Sequence, residues 1–161
     1  MRKLVFSFAA VVHLLLIDQI VKAYAIARLK GNVPVEVCPL FNLAYVENRG
    51  CAWGMFQGQV WPLAAFAAVA FAFIVWKRKS LFPSGAWGLV AELLLYAGIH
   101  GNLIDRVYHG FVVDMFDFHW GIHHFPCFNV ADACISVAAG ILLWFSFFTK
   151  NEETKAAAEK A

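Results

Sequence analysis

The chain has 161 residues, of which 61% are hydrophobic and only 15% charged. A water-soluble domain is nearer half apolar and a quarter charged, and one of this size could not hide so much apolar surface, so lipid must cover part of it. The net charge of +2 gives no basis for nucleic-acid binding, and the length suits one domain.

A bilayer core about 30 Å thick needs about 20 mostly apolar residues of helix. Residues 4–27, 60–76, 86–108 and 130–149 meet that need approximately. The expected fold is an all-α membrane protein of four transmembrane helices with a small β-rich extracytoplasmic segment. Residues 1–150 form the single domain. Residues 151–161, where Glu, Lys and Ala replace the aromatics, form a disordered cytoplasmic tail. Arg2 and Lys3 precede the first span, Lys77, Arg78 and Lys79 divide the second from the third, and Lys150, Lys155 and Lys160 follow the fourth. Cytoplasmic loops carry the excess of Lys and Arg, so both termini and the 77–83 loop are expected inside. The first span has the basic start and apolar run of a signal peptide, but Asp18 and Lys22 interrupt the region where cleavage would be prepared.

Residues 29–59 and 109–129 then face outward. The first of these loops contains Val33-Pro34-Val35-Glu36-Val37 and Phe41-Asn42-Leu43-Ala44-Tyr45-Val46, with a turn at Asn48-Arg49-Gly50. These runs predict a small antiparallel sheet on the membrane surface. The second loop is rich in Phe, Trp and His, as expected of contact with the lipid interface. Cys38 and Cys51 could pair, although a lone buried cysteine more often serves as a small hydrophobe. No C-x-x-C pair is present among Cys38, Cys51, Cys127 and Cys134.

Ionisable groups inside a membrane are costly and mark function by default. Asp18 lies roughly 22 Å along the helix from Lys3, and Lys22 sits on the same face four residues on. They read either as a self-contained ion pair or as a brace for a site. Gly98, Asn102 and Arg106 form one stripe of the third span, with Gly101 and Asp105 beside it. Asn129 and Asp132 read equally as a helix N-cap with its N3 acid and as site residues. Asp114 and Asp117 could be solvated loop acids. His119, His123 and His124 lack the spacing of a zinc hydrolase. His13 and His100, inside spans, could be a proton relay or buried hydrogen-bonded groups. Glu92 is close enough to the cytoplasmic end of its span to reach water.

Taken together, Asp18-Gln19-x-x-Lys22, Asn48-Arg49-Gly50-Cys51-Ala52-Trp53, Gly98-x-x-Gly101-Asn102-Leu103-Ile104-Asp105-Arg106, Val112-Val113-Asp114 and Phe125-Pro126-x-Phe128-Asn129-x-Ala131-Asp132-x-x-Ile135 closely resemble lipoprotein signal peptidase, or signal peptidase II. The resemblance covers nearly the whole chain except the tail. It implies an aspartic endopeptidase of the bacterial inner membrane that removes signal peptides from diacylglyceryl-modified prolipoproteins, cutting before the lipid-modified cysteine. It further implies Asp114 and Asp132 as the catalytic dyad at the outer face, and no metal or organic cofactor. Asn48, Gly50, Asn102, Arg106 and Asn129 are implied to line the site, with Asp18 and Lys22 as structural support. Cys51, Trp53 and His100 depart from the usual pattern, the first and last replacing smaller residues and Trp53 replacing Phe. A small proton-coupled transporter using His13, Asp18, His100 and Asp105 is the competing class. It requires polar groups through the full membrane thickness, whereas here they gather toward one side.

Overall fold

The computed structural model describes residues 2–158. In chain order the elements are α1 (Arg2–Arg28), β1 (Val35–Cys38), β2 (Phe41–Asn48), a single 3-10 turn (Ala52–Gly54), α2 (Val60–Trp76), α3 (Arg78–Leu81), α4 (Ala86–His109), β3 (Val112–Trp120), β4 (His123–His124) and α5 (Val130–Ala158). Among the described residues, three helices contain stretches long and apolar enough to cross a membrane: Val5–Arg28, Ala86–His109 and Val130–Phe148. The fourth apolar helix, Val60–Trp76, is shorter. Large side chains such as Phe6, Phe8, Phe66, Trp76 and Phe147 project outward from these helices, as a lipid-facing surface requires.

α4 is the centre of the bundle, with α1, α2 and α5 each packed against it. Glycines permit the closest of these approaches. A Cβ on Gly98 would stand 2.5 Å from the Ala131 carbonyl oxygen, and one on Gly101 would stand 2.6 Å from Asp18 Oδ2. The small-residue seam expected on this helix therefore carries the α4–α5 and α4–α1 contacts. Over residues 151–158 the backbone continues α5, where the sequence suggested disorder; Ala, Glu and Lys are strong helix formers once a helix reaches them. The last three residues of that tail, 159–161, lie outside the described residues.

The sheet is antiparallel, in the order β1-β2-β3-β4. The first outer loop supplies only two of its strands. The aromatic second loop supplies β3, with Val46 opposite Asp114 and Asn48 opposite Val112. This pairing joins segments about 70 residues apart, which local alternation could not reveal. Successive strand residues point to opposite faces. Val113 and Met115 pack with Ala25 and Leu29 at the end of α1, which sends Asp114, between them, to the other face.

Candidate active site

Behind the sheet, α1, α4 and α5 share a buried ionic cluster. Lys22 Nζ lies 2.8 Å from Asp18 Oδ2 and 2.9 Å from Asp105 Oδ2, with all three side chains almost fully buried. Asp18 and Lys22 are thus not a self-contained pair. Gln19 Nε2 donates to Asp18 at 3.2 Å and to Asp105 at 3.1 Å. The second oxygen of Asp18 accepts the Ala131 N–H at the start of α5, and Asp105 accepts the Val113 N–H at the start of β3. Buried charges persist only when paired and hydrogen-bonded, and here that requirement ties three helices and a strand to one point.

From this cluster a chain of asparagines runs to Asp114 and Asp132, and the orientation of each amide is forced. Lysine has only donors, so the Asn102 oxygen faces Lys22 Nζ at 3.2 Å and its Nδ2 faces Asp132 Oδ1 at 2.7 Å. The Asn129 oxygen accepts the Asp132 N–H at 2.9 Å, leaving its Nδ2 to donate to Asp114 Oδ1 at 2.7 Å. The Asn48 oxygen accepts the Gly50 N–H at 3.0 Å, leaving its Nδ2 to donate to Asp114 Oδ2 at 3.0 Å. Three fixed donors therefore aim three amide groups at two carboxylates. The Asn129 N–H also donates to Asp132 Oδ2 at 3.2 Å, which completes a capping box at the start of α5. The capping reading of Asp132 holds, and it does not exclude a site role: the cap is what presents the carboxylate.

Arg106 fastens the first outer loop to this arrangement. Its Nη2 donates to the Gly50 carbonyl at 3.0 Å and its Nη1 to the Asn102 carbonyl at 3.4 Å. Gly50 has no room for a side chain, because a Cβ there would run into the Met55 carbonyl. All nine residues singled out from the sequence thus meet in one region: five in the carboxylate–amide network, two fastening the loop, two in the cluster behind.

Asp114 is 1% exposed and Asp132 is half-buried. Burial, reinforced by the negative charge of Asp132, pushes the Asp114 carboxyl up to about 7, against the pull of the Asn48 and Asn129 hydrogen bonds. Nearby, burial and the Asp114 charge push the Cys127 thiol up to about 12, so it stays protonated at neutral pH and is no nucleophile. Cys38 and Cys51 are both free.

Two cavities meet at this network. One of about 700 Å³ is walled by Asp132, Asn102 and Arg106 together with Ala67 of α2 and Ile135 of α5. The other, of about 650 Å³, lies on the sheet side and contains Asp114, Asp117 and His124. Asn48, Trp53 and Phe125 line both. Trp53 and Phe125 meet edge to face with centroids 5.8 Å apart, and Trp53 holds a left-handed φ of 61°.

Some residues proved different from their sequence reading. Asp117 is buried rather than solvated, bonded to His124 at 2.7 Å and to Asn42 at 3.1 Å. Burial opposes its charge, but the His124 and Asn42 bonds together hold its carboxyl below the ordinary range. The partner Asn42 comes from the β2–β3 register, a non-local fact. Asp105 and Gln19, seen in the motifs, turn out to share the Lys22 cluster. Glu92 is 6% exposed and paired with Arg78. His13 and His100 each face the carbonyl four residues back on their own helix, so neither connects to the other.

The profile of the family described as signal peptidase (SPase) II matches residues 10–148. The chain belongs to the signal peptidase II family. The lipoprotein signal peptidase of Shewanella sp. (strain MR-4) is 40% identical over 152 residues, which cover 90% of this chain and 88% of that protein. That of Shewanella halifaxensis is 39% identical with the same coverage. A bacterial membrane enzyme solved by the in meso method superposes with a TM-score of 0.75 at 28% identity, covering 92% of this chain and 90% of its own. The protein is therefore a peptidase, with the helical architecture and small antiparallel sheet of a bacterial membrane enzyme.

Proposed function

We propose that Asp114 and Asp132 are the catalytic dyad of an aspartic endopeptidase that removes the signal peptide from a diacylglyceryl-modified prolipoprotein, cutting before the lipid-modified cysteine. The observation that carries this reading is the Asn129 side chain. Its amide holds Asp114 while its oxygen holds the backbone of Asp132, at the junction of two substrate-sized cavities.

Peptide hydrolysis through water needs a base to take its proton and an acid to protonate the leaving nitrogen. Two carboxylates held close do not both ionise readily, so one proton is shared and both roles are filled. The elevation of Asp114 to about 7 keeps that proton on the pair near neutral pH, and the pair titrates as a unit. Water between the acids attacks the scissile carbonyl. The oxygen that becomes the new carboxyl comes from water, and the proton goes to the departing amine. Asn48, Asn102 and Asn129 hold the carboxylates, and Arg106 and Gly50 fix the loop over them. Asp18 and Lys22 brace the helices behind.

The mainly apolar larger cavity, reaching Ala67 and Ile135, suits the lipid-bearing segment. The free edges of a sheet offer pairing to an extended strand. Val60–Trp76 completes a four-span bundle despite its length. Both termini and the 77–83 loop lie in the cytoplasm, and the dyad at the outer face of the bacterial inner membrane. Residues 1–150 are one peptidase domain and 151–161 a cytoplasmic tail.

The test is cleavage of a diacylglyceryl-modified prolipoprotein by the purified protein, with Asp114→Asn and Asp132→Asn checked for folding in detergent. Wild type cleaves, and each variant loses at least about 100-fold. Cleavage that survives either change would remove that acid from the mechanism.

A further inference from the structure

A second cavity of about 740 Å³ lies away from the dyad, between α1, α2 and α4. It exists because α1 and α2 each pack on α4 but scarcely touch one another. Its walls are apolar, among them Phe8, Val11, Leu15, Phe71, Val75 and Leu93, and residues 7–15 and 89–100 place it in the half of the bundle next to the 77–83 loop.

One end of this groove is not apolar. Glu92, 6% exposed, pairs with Arg78 through the guanidinium Nε, and both line the groove. Among the described residues the Nη1 and Nη2 groups of Arg78 have no protein partner, so the fork that suits a phosphate is free. Tyr96 also lines the groove, its hydroxyl beside the Glu92 carboxylate. Lys77 and Lys79 flank Arg78 in the sequence, and Trp76 and Trp87 are exposed nearby on α2 and α4, as at a membrane interface.

We propose that this groove holds an anionic phospholipid, one acyl chain between α1 and α2 and the phosphate on Arg78 with Lys77 and Lys79. The cytoplasmic leaflet is its source if the orientation proposed above holds; the binding itself does not depend on that orientation. Charge complementarity selects the occupant: an apolar slot ending in the open Nη face of Arg78, whose charge Glu92 balances, with Lys77 and Lys79 adjoining it in the sequence as further cations, fits a lipid with net negative charge, not a neutral one.

The test uses the full chain reconstituted in vesicles containing equal amounts of phosphatidylglycerol and phosphatidylcholine with matched acyl chains. The protein is then extracted in mild detergent, and its retained lipids are counted by native mass spectrometry. Phosphatidylglycerol should be retained about fivefold over phosphatidylcholine. The double variant Arg78→Gln/Glu92→Gln, which removes the ion pair without stranding a buried charge, should abolish that preference. Leu93→Trp, which fills the groove and leaves all charges in place, should reduce total retention. Equal retention of the two lipids by the wild type, or a preference unchanged in the double variant, would overturn the proposal. Total retention unchanged by Leu93→Trp would do the same, because the lipid would then sit on the basic surface rather than in the groove. The readout is lipid mass rather than proteolysis, so its failure is distinguishable from failure of the peptidase reading.

Discussion

Replacing Asn48 by Ala should move the alkaline limb of the pH–rate profile upward. Asn48 Nδ2 donates to Asp114 Oδ2 at 3.0 Å, and that bond is one of two that lower a carboxyl otherwise pushed up by burial and by Asp132. A hydrogen bond to a charged group contributes about 1.5–3 kcal/mol. Asn48 is only half-buried, so solvent screening takes its share to the bottom of that range or below, about 1–1.5 kcal/mol. At about 1.4 kcal/mol per pH unit, the shift is close to one unit. The direction follows from which form the bond favours. Asn48 stabilises the ionised carboxylate, so its loss raises the pKa and the shared proton is kept to higher pH. Wild-type kcat/KM should fall above a midpoint set by the Asp114 value of about 7. The variant should begin to fall about one unit later, even if its maximum is lower. The assay is initial-rate cleavage of a diacylglyceryl-modified prolipoprotein between pH 5.5 and 9.5 in one detergent, with folding checked at each end. A limb that stays in place or moves to lower pH would refute the reasoning, because a donor on a catalytic carboxylate cannot be removed without favouring its protonated form.

Lys22→Met should cost about 3–5 kcal/mol of stability, read as thermal unfolding in detergent, because it leaves Asp18 and Asp105 buried together without their cation; adding Asp18→Asn and Asp105→Asn should recover part of the loss. Gly101→Ala should destabilise by about 1–3 kcal/mol, since its Cβ would stand 2.6 Å from Asp18 Oδ2 and 3.0 Å from Ala131 Cβ; an unchanged melting temperature would contradict the close packing of α4. Gly50→Ala should lower kcat/KM with little change in melting temperature, by pushing the loop off the Met55 carbonyl and disturbing the Arg106 and Asn48 bonds that converge on it. Cys38, exposed on β1, should react with a membrane-impermeant maleimide added outside spheroplasts, while buried Cys134 should not; a Cys38 reached only from inside would reverse the proposed orientation.

Much of this protein was legible in one dimension. The apolar helices follow from the length of hydrocarbon they must cross, and Gly98, Gly101, Asn102 and Arg106 announce their shared face through the helical repeat. Asp18 and Lys22 stand out because lipid makes any charge expensive. What the sequence by itself determined was which residue types gather toward one end of the bundle, since periodicity and the cost of burying charge act locally. What only the tertiary structure decided was how they are partnered. Strand β3 came from the second loop because β2 offered it a register, and that pairing alone brings Asn48 to Asp114 and Asn42 to Asp117. Glu92 was expected near water and is instead buried against Arg78 at the start of α3. Asp132 looked like a choice between a helix cap and a site acid, and the fold shows that capping leaves its carboxylate facing the Asn102 amide, so the two readings do not compete. Amide orientations, ion-pair partners and the junction of two cavities depend on contacts between residues far apart in the chain, whose closure only the packed bundle enforces.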